Sequence, residues 1–194
     1  MNYLAHAYLS FDKPEILAGN MMSDFVKGKK KFEYPAGIQA GIQLHREIDH
    51  FTDTHPSTHL GKEVFRKDYR LYAGAFMDVV YDHFLALDKE AFPGSSLLRF
   101  TTRTYATLEP FISQAPESFQ KMFPHMKQHN WLYHYQFPEG IEKSMAGLVR
   151  RSTWLSESDT AFAIFKQHYN HLQECYSQFF PELTSFVRGR LEAV

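Results

Sequence analysis

The sequence predicts an all-α fold, organised as one domain over residues 1–194. Apolar side chains recur at helical spacing along most of the chain, whereas the alternating pattern of a strand is scarce. Hydrophobic residues make up 44% of the 194 positions and aromatic residues 16%, which is enough for a substantial core filled with rings. We find no internal repeat and no Gly/Ser-rich linker, so nothing divides the chain into two domains.

Helix signals follow one another through the first half of the chain. Pro14 suits a first helical turn and Gly28 a C-terminal stop, so a helix is predicted over residues 14–27. Residues 28–35 are then predicted to form a basic surface loop. Proline and glycine boundaries separate three further helices, predicted over residues 36–54, 57–69 and 71–89.

The second half continues in the same way. Ser95 or Ser96 can cap a helix that runs through Phe111. The remaining helical segments are predicted over residues 116–128, 131–137, 138–151 and 159–180.

Charge and composition exclude several classes of protein. A formal net charge of −1 argues against generic nucleic-acid binding, which needs a broad basic surface. The most apolar stretch, 71–87, is interrupted by Asp78, Asp82 and His83, so no membrane span is expected. A lone Cys175 cannot form an intramolecular disulfide, and the first residues lack the features of a signal peptide, so we expect a cytoplasmic protein.

One segment is unusually rich in metal-type ligands. His45, Asp49 and Asp53 recur every four residues and therefore share one face of the predicted helix over 36–54. A solvated helix face is the ordinary alternative, and Asp53 could equally cap the turn before Pro56. The same helix carries the apolar residues Gly41, Ile42, Leu44, Ile48 and Phe51, however, and i,i+4 pairs present two metal ligands efficiently.

A second segment places Asp78, Asp82 and His83 on the most apolar predicted helix. Alternatively, His83 is a buried histidine bonded to the backbone, with Asp78 paired to an arginine. Burying several carboxylates without a compensating cation is costly, and a divalent metal is the simplest compensation. The two segments together predict a metal-dependent enzyme.

Other candidates stand apart from these segments. Asp24 lies near the C-terminal end of a predicted helix, where its charge is unfavourable, which hints at a positive group nearby. His6, between Leu4 and Leu9, is more often a satisfied core histidine than a ligand. The lysines that follow Asp24 form either a solvated turn or a docking patch for an acidic partner; they are Lys27, Lys29, Lys30 and Lys31.

The chain resembles the acyl carrier protein phosphodiesterase family, also called acyl carrier protein hydrolyases. The resemblance is detailed over roughly the first 90 residues and depends on the order and spacing of separate blocks. These blocks are residues 1–6 (MNYLAH), 18–28 (AGNMMSDFVKG), 40–49 (AGIQLHREID), 51–56 (FTDTHP) and 78–85 (DVVYDHFL).

The resemblance implies a helical fold like that of the HD phosphohydrolases, and a role in lipid metabolism and fatty acid biosynthesis. Members use a divalent cation, typically Mn²⁺, to remove 4′-phosphopantetheine from holo acyl carrier protein; Fe²⁺ and Zn²⁺ are alternatives. The chain departs from ordinary HD enzymes because it has Asp49-His50 and Asp82-His83 instead of a His-Asp pair. Ligands therefore cannot be copied from the wider superfamily.

Spacing and resemblance together suggest roles for individual side chains. The expected pool of metal ligands is Asp24, His45, Asp49, Asp82 and His83. Arg46 could stabilise charge on the phosphate. Asp78, Asp53 or His6 could orient ligands or the attacking water, while His50 or His55 could protonate the leaving serine. The lysine patch would meet acyl carrier protein.

Three other functions are compatible with the sequence. An HD-like phosphohydrolase would act on a nucleotide or another small phosphate ester. A di-iron helical oxidoreductase would need a second Glu-x-x-His motif besides Glu47-x-x-His50. A helical interaction module would use its metal for stability alone.

Overall fold

A computed structural model describes residues 1–192, so positions 193 and 194 of the predicted domain lie outside it. Over these residues the chain forms helices and no strand, which confirms the all-α fold. The first six α-helices are α1 (Tyr3–Tyr8), α2 (Pro14–Met22), α3 (Ala36–Thr54), α4 (Pro56–Tyr69), α5 (Ala73–Leu87) and α6 (Ser96–Leu108). The next five are α7 (Glu117–Gln128), α8 (Trp131–His134), α9 (Pro138–Arg151), α10 (Asp159–Gln167) and α11 (Tyr169–Glu192).

Short 3₁₀ helices correct two of the sequence expectations. The helix predicted over 14–27 ends at Met22 and continues as a 3₁₀ turn, Ser23–Phe25, because Val26 and Lys27 are extended. The predicted loop over 28–35 is largely a 3₁₀ helix, Gly28–Glu33, entered through Gly28 at a φ of 59°. Only glycine adopts that conformation readily, so it separates the two turns.

The helix predicted over 159–180 is in fact two helices. The chain breaks at His168, and α11 then runs on to Glu192. Helix α10 packs against α9 and α4, whereas α11 packs mainly against α4 and α3. The break lets Phe165 and Leu172 both be buried, so tertiary packing overrides the continuous helical pattern.

Helix α5 lies at the centre of the fold, in contact with α1, α4, α9 and α11. Most of its apolar side chains are buried within one continuous hydrophobic core, in which Tyr81 stacks on Phe179 of α11 at a centroid distance of 4.7 Å. No helix between residues 1 and 192 is long and apolar enough to cross a membrane. Because α5 packs against four other helices, Asp82 and His83 lie on an element surrounded by protein.

Two glycines bring α2 and α3 unusually close together. A Cβ built on Gly19 would lie 2.1 Å from the carbonyl oxygen of Ile38, and one on Gly41 would lie 2.3 Å from that of Ile16. Any larger side chain would push the helices apart. This contact places Asn20 and the Asp24 turn directly beside His45.

Candidate metal centre

Three side chains from two helices converge on one point. His6 comes from α1, and His45 and Asp49 come from one face of α3. Nε2 of His45 lies 3.1 Å from Oδ2 of Asp49, and Nε2 of His6 lies 3.3 Å from Oδ1 of the same carboxylate. Each residue offers one ligand atom, and these atoms all lie within 4.8 Å of one another. The i,i+4 spacing of His45 and Asp49 predicted their half of this cluster.

His6 is the member of the cluster whose polar atoms are least satisfied. Its side chain is 2% exposed; Nδ1 has no hydrogen-bond partner among residues 1–192, and Nε2 lies 3.3 Å from Asp49 without the geometry of a hydrogen bond. Burial, and next the charge of His45, lower the pKa of His6 to about 4. A buried polar group without a partner is costly, so these nitrogens point to a ligand.

His45 is held in a fixed orientation from both sides of its ring. Nδ1 donates to the carbonyl oxygen of Asn20 at 2.8 Å, and Nε2 faces Oδ1 of Asp24 at 3.1 Å as well as Asp49. Burial lowers the pKa of His45, but the hydrogen bonds to Asp24 and Asp49 outweigh burial and raise it to about 9. The carboxylates therefore favour a cation at Nε2.

The carboxylates of the site already share a positive charge. The α-ammonium of Met1 lies 3.1 Å from Oδ1 of Asp49 and 3.1 Å from Oδ1 of Asp78. Burial raises the pKa of Asp49, but this ammonium and the hydrogen bond from His45 bring it well below its usual range. Burial also raises the pKa of Asp78. The ammonium thus connects Asp78 to Asp49, which is a member of the cluster.

Asp82 lies outside the cluster of His6, His45 and Asp49. Its two oxygens accept hydrogen bonds from the amides of Leu4 and Ala5, at 2.7 and 3.0 Å, and the residue is fully buried. Burial raises its pKa to about 7, although the two amides favour the ionised form. Asp82 caps the N-terminus of α1, and through that helix it positions His6.

His83 also lies apart from the cluster. Its Nδ1 donates to the carbonyl oxygen of Tyr135 at 2.7 Å, and its Nε2 lies 3.0 Å from the Tyr169 hydroxyl. Burial lowers its pKa. The structure therefore gives both ring nitrogens protein partners, which matches the alternative of a satisfied buried histidine.

The remaining candidates on α3 are exposed. Asp53 forms an ion pair with Lys62 at 2.6 Å. Arg46 and His50 face solvent, and neither has a hydrogen-bonding or ion-pairing side chain beside it in the described part of the chain. His55 accepts from the amide of Ser57 and so caps α4.

The lysine patch is also at the surface. Lys27, Lys29 and Lys30 are exposed, and half-buried Lys31 lies 5.1 Å from the ring of Phe32, which is 64% exposed. The patch begins three residues after Asp24, whose carboxylate contacts His45, and Nζ of Lys31 lies 3.5 Å from Oε1 of Gln43 on α3.

Comparison with known proteins identifies relatives along nearly the whole chain. A family profile described as acyl carrier protein phosphodiesterase matches residues 1–183. The chain is 35% identical to the acyl carrier protein phosphodiesterase of Photorhabdus laumondii over 182 residues, which cover 93% of this chain and 92% of that protein. It is 33% identical to the protein of the same name from Serratia proteamaculans over 191 residues, covering 98% and 99% respectively. No solved structure matches, so the HD-like arrangement stays a prediction.

Proposed function

Because the chain belongs to the acyl carrier protein phosphodiesterase family, we propose that it hydrolyses the phosphodiester joining 4′-phosphopantetheine to a serine of holo acyl carrier protein. The products are the apo carrier and free 4′-phosphopantetheine. One observation carries the proposed chemistry: His6, His45 and Asp49 form a compact, largely buried cluster of imidazole and carboxylate ligands. Such a donor set suits a divalent transition metal.

The residues present fit a metal ion. Two ligands of one ion, each about 2.1 Å from it, lie about 3–4 Å apart. The Nε2–oxygen distances of 3.1 and 3.3 Å around Asp49 fall in that range. A bound ion would also satisfy Nε2 of His6, which is buried and forms no hydrogen bond with a protein group.

We assign His6, His45 and Asp49 as the ligands, with Asp24 as the neighbouring carboxylate at His45. Asp82 and His83, expected as ligands, are left out because their polar atoms already have protein partners. The mixture of nitrogen and oxygen donors suits Mn²⁺ best, with Fe²⁺ and Zn²⁺ as alternatives.

A divalent ion, when bound, supplies a Lewis acid that neutralises the phosphodiester and lowers the pKa of water. The chain supplies the orientation of the ligands. Asn20 holds the proton on Nδ1 of His45, so Nε2 is directed at the cluster. Asp49 stays ionised, because the pKa of its carboxyl is far below its usual range.

Four further side chains complete the proposed chemistry: exposed Arg46, His50 and Asp53, and half-buried Asp78. Arg46 follows His45 on α3 and has no ion-pair partner in the described chain, so it can meet charge on the phosphate. Asp78 and Asp53 are assigned to orienting the attacking water, and His50 to protonating the leaving serine oxygen. The lysine patch is assigned to the acidic surface of the carrier protein.

The test is mass spectrometry of holo acyl carrier protein incubated with the protein and Mn²⁺. We expect loss of the phosphopantetheine mass from the carrier, and little loss with Asp49→Asn. Asp68→Asn, at an exposed aspartate of α4, is the matched control and should act like wild type. A carrier that stays intact beside folded, metal-loaded protein would contradict the proposal and favour a small phosphate ester as substrate.

A further inference from the structure

A cavity of about 730 Å³ lies between the start of α1, the middle of α5, and α8 and α9. We propose that this cavity binds the pantetheine arm of the substrate and that Arg151 at its wall holds the phosphate end. This inference rests on the proposed function, because the arm is the group that hydrolysis would release. A volume of this size is typical of small-molecule sites.

The cavity is lined by residues that directly follow members of the metal-centre region in the chain. Asn2 and Tyr3 line it immediately after Met1, whose ammonium contacts Asp49, and Val79 lines it immediately after Asp78. Tyr3 lies within electrostatic reach of both regions: burial and the charge of Asp24 raise its pKa to about 12, while Arg151 acts to lower it. A ligand that crosses Tyr3 would therefore join the two regions.

The wall of the cavity carries three cations, Lys143, Arg150 and Arg151, and one carboxylate, Glu139. A Cβ built on Gly147 would lie 3.6 Å from Nη2 of Arg150 and 3.6 Å from Nη1 of Arg151, so both guanidinium groups flank that position. Lys143 lies one turn earlier on the same face of α9. None of these three cations forms an ion pair with a carboxylate between residues 1 and 192. Uncompensated guanidinium groups suit a phosphate, which they can bind through two parallel hydrogen bonds.

A second cavity, of about 530 Å³, also contains arginines, but most of their guanidinium groups already interact with other side chains. There, Arg103 binds Asp12 at 2.6 Å, and the guanidinium of Arg188 lies 4.6 Å from the ring centroid of Phe11. The third arginine, Arg99, donates a hydrogen bond to the Ser95 hydroxyl at 3.4 Å. Two of the three cations therefore already interact with a charged or aromatic side chain of the protein. The larger cavity therefore fits an anionic ligand better.

The rest of the larger cavity suits the arm itself. Pantetheine is an uncharged chain with two amides and a terminal thiol, so it needs apolar walls and a few polar groups. Trp131 and Phe137 supply apolar surface, and the Phe137 side chain stays 39% exposed. Asn130 and Ser144 supply polar atoms along the same wall. Such a mixture is characteristic of sites for small ligands.

Binding can be measured without turnover through the fluorescence of Trp131. The chain has two tryptophans, and Trp154 is 84% exposed, so Trp154→Phe leaves Trp131 as the single reporter. Titration of this variant with 4′-phosphopantetheine should give a saturable change. Free pantetheine, which lacks the phosphate, should bind more weakly.

Two pairs of variants test the assignment within the Trp154→Phe background. Arg151→Gln should weaken 4′-phosphopantetheine binding about tenfold and leave pantetheine unchanged, because one charged hydrogen-bonding group is lost. Arg99→Gln, at an exposed arginine of α6, should change neither. Ala146→Phe should fill the cavity and abolish both signals, whereas Ala106→Phe at an exposed site should not.

The proposed reaction and the proposed binding of the arm in the cavity can be contradicted independently of each other. No saturable signal from a protein that does hydrolyse the holo carrier would overturn the cavity assignment alone. Unchanged affinity in both Ala146→Phe and Arg151→Gln would overturn it as well. Saturable binding that Ala146→Phe removes supports the assignment, even if the carrier stays intact, and in that case only the proposed reaction fails.

Discussion

The imidazole rings of His6 and His45 stack face to face, with 3.9 Å between their centroids and 12° between their planes. Two protonated rings could not lie so close in a buried site, since like charges repel. The proton accordingly belongs to His45, whose pKa is raised to about 9, while the pKa of His6 falls to about 4. Both rings also border Asp49, so a divalent ion could replace the proton and use both neutral rings.

The first prediction concerns this stack. His6→Ala should weaken Mn²⁺ binding by more than about 100-fold, because the loss of even an outer partner of a ligand costs 10–100-fold. Isothermal titration calorimetry measures the affinity. His59→Ala, at an exposed histidine of α4, is the control and should bind Mn²⁺ like wild type. Equal affinities in the two variants would remove His6 from the ligand set.

The second prediction separates support from ligation at Asp82. In Asp82→Asn one amide of α1 faces an NH₂ group, so the free energy of unfolding should fall by about 1–3 kcal/mol. Urea denaturation measures this change, and Asp68→Asn should stay within about 0.5 kcal/mol of wild type. Mn²⁺ affinity should fall much less than in His6→Ala. A loss as large as that of His6→Ala would restore Asp82 as a ligand.

Asp82 and His6 also show what the sequence could and could not predict. Helical periodicity predicted most of the helices, and i,i+4 spacing predicted that His45 and Asp49 lie together. Both features depend only on the local geometry of a helix. Helix α1 was missed because six residues do not form a stable helix alone. It is stabilised by Asp82, 77 and 78 positions away. Without that contact, nothing local distinguishes His6 from an ordinary core histidine.

Other features depended on packing for the same reason. The sequence predicted Asp82 and His83 as site residues because carboxylates on so apolar a helix need a compensating cation. It could not show that backbone amides and tyrosine groups from distant segments already satisfy them. Likewise, the close contact of α2 and α3 depends on two glycines that face each other only in the fold.

The third prediction uses that glycine contact. Gly41→Ala should separate α2 from α3, since its Cβ would lie 2.3 Å from the backbone oxygen of Ile16. Overpacking of this kind costs about 1–3 kcal/mol, which thermal denaturation can measure. The displacement should also weaken Mn²⁺ binding, because Asn20 and Asp24 orient His45. Gly189→Ala is the control: nothing lies within 4 Å of its built Cβ, and alanine favours the helix.

The fourth prediction is a pH dependence that originates at His83. Burial lowers the pKa of His83 below 6.5, its value in the unfolded chain. Between these two values the unfolded state binds more protons, so His83 contributes stability above pH 6.5 that is lost as the pH falls. The slope from this group reaches at most about 1.4 kcal/mol per pH unit.

Urea denaturation of wild type and His83→Gln between pH 5 and about 7.5 tests this prediction. The difference in unfolding free energy between the two proteins should shrink as the pH is lowered, because only wild type must protonate a buried imidazole. His125→Gln, at an exposed histidine of α7, should track wild type throughout. A constant difference between wild type and His83→Gln would show that His83 does not titrate differently in the folded state.

The last prediction concerns the lysine patch and the carrier protein. Replacing Lys27, Lys29 and Lys30 with glutamate reverses a basic surface that borders Asp24 without touching the core. We expect kcat/KM for holo acyl carrier protein to fall on the order of tenfold or more at low salt, since clustered charge steers association. The difference should shrink as the salt concentration rises. Turnover of a small phosphodiester should be unchanged, because it does not need the patch.

Charge reversal elsewhere is the matched control for this experiment. Replacing Lys67, Lys121 and Lys166, which are exposed on α4, α7 and α10, changes the net charge equally but leaves the patch intact. If both triple variants lose the same activity toward the carrier, net charge and not the patch directs association. If only the patch variant loses it, the carrier approaches along the surface that leads from Lys30 to Asp24 and the metal centre.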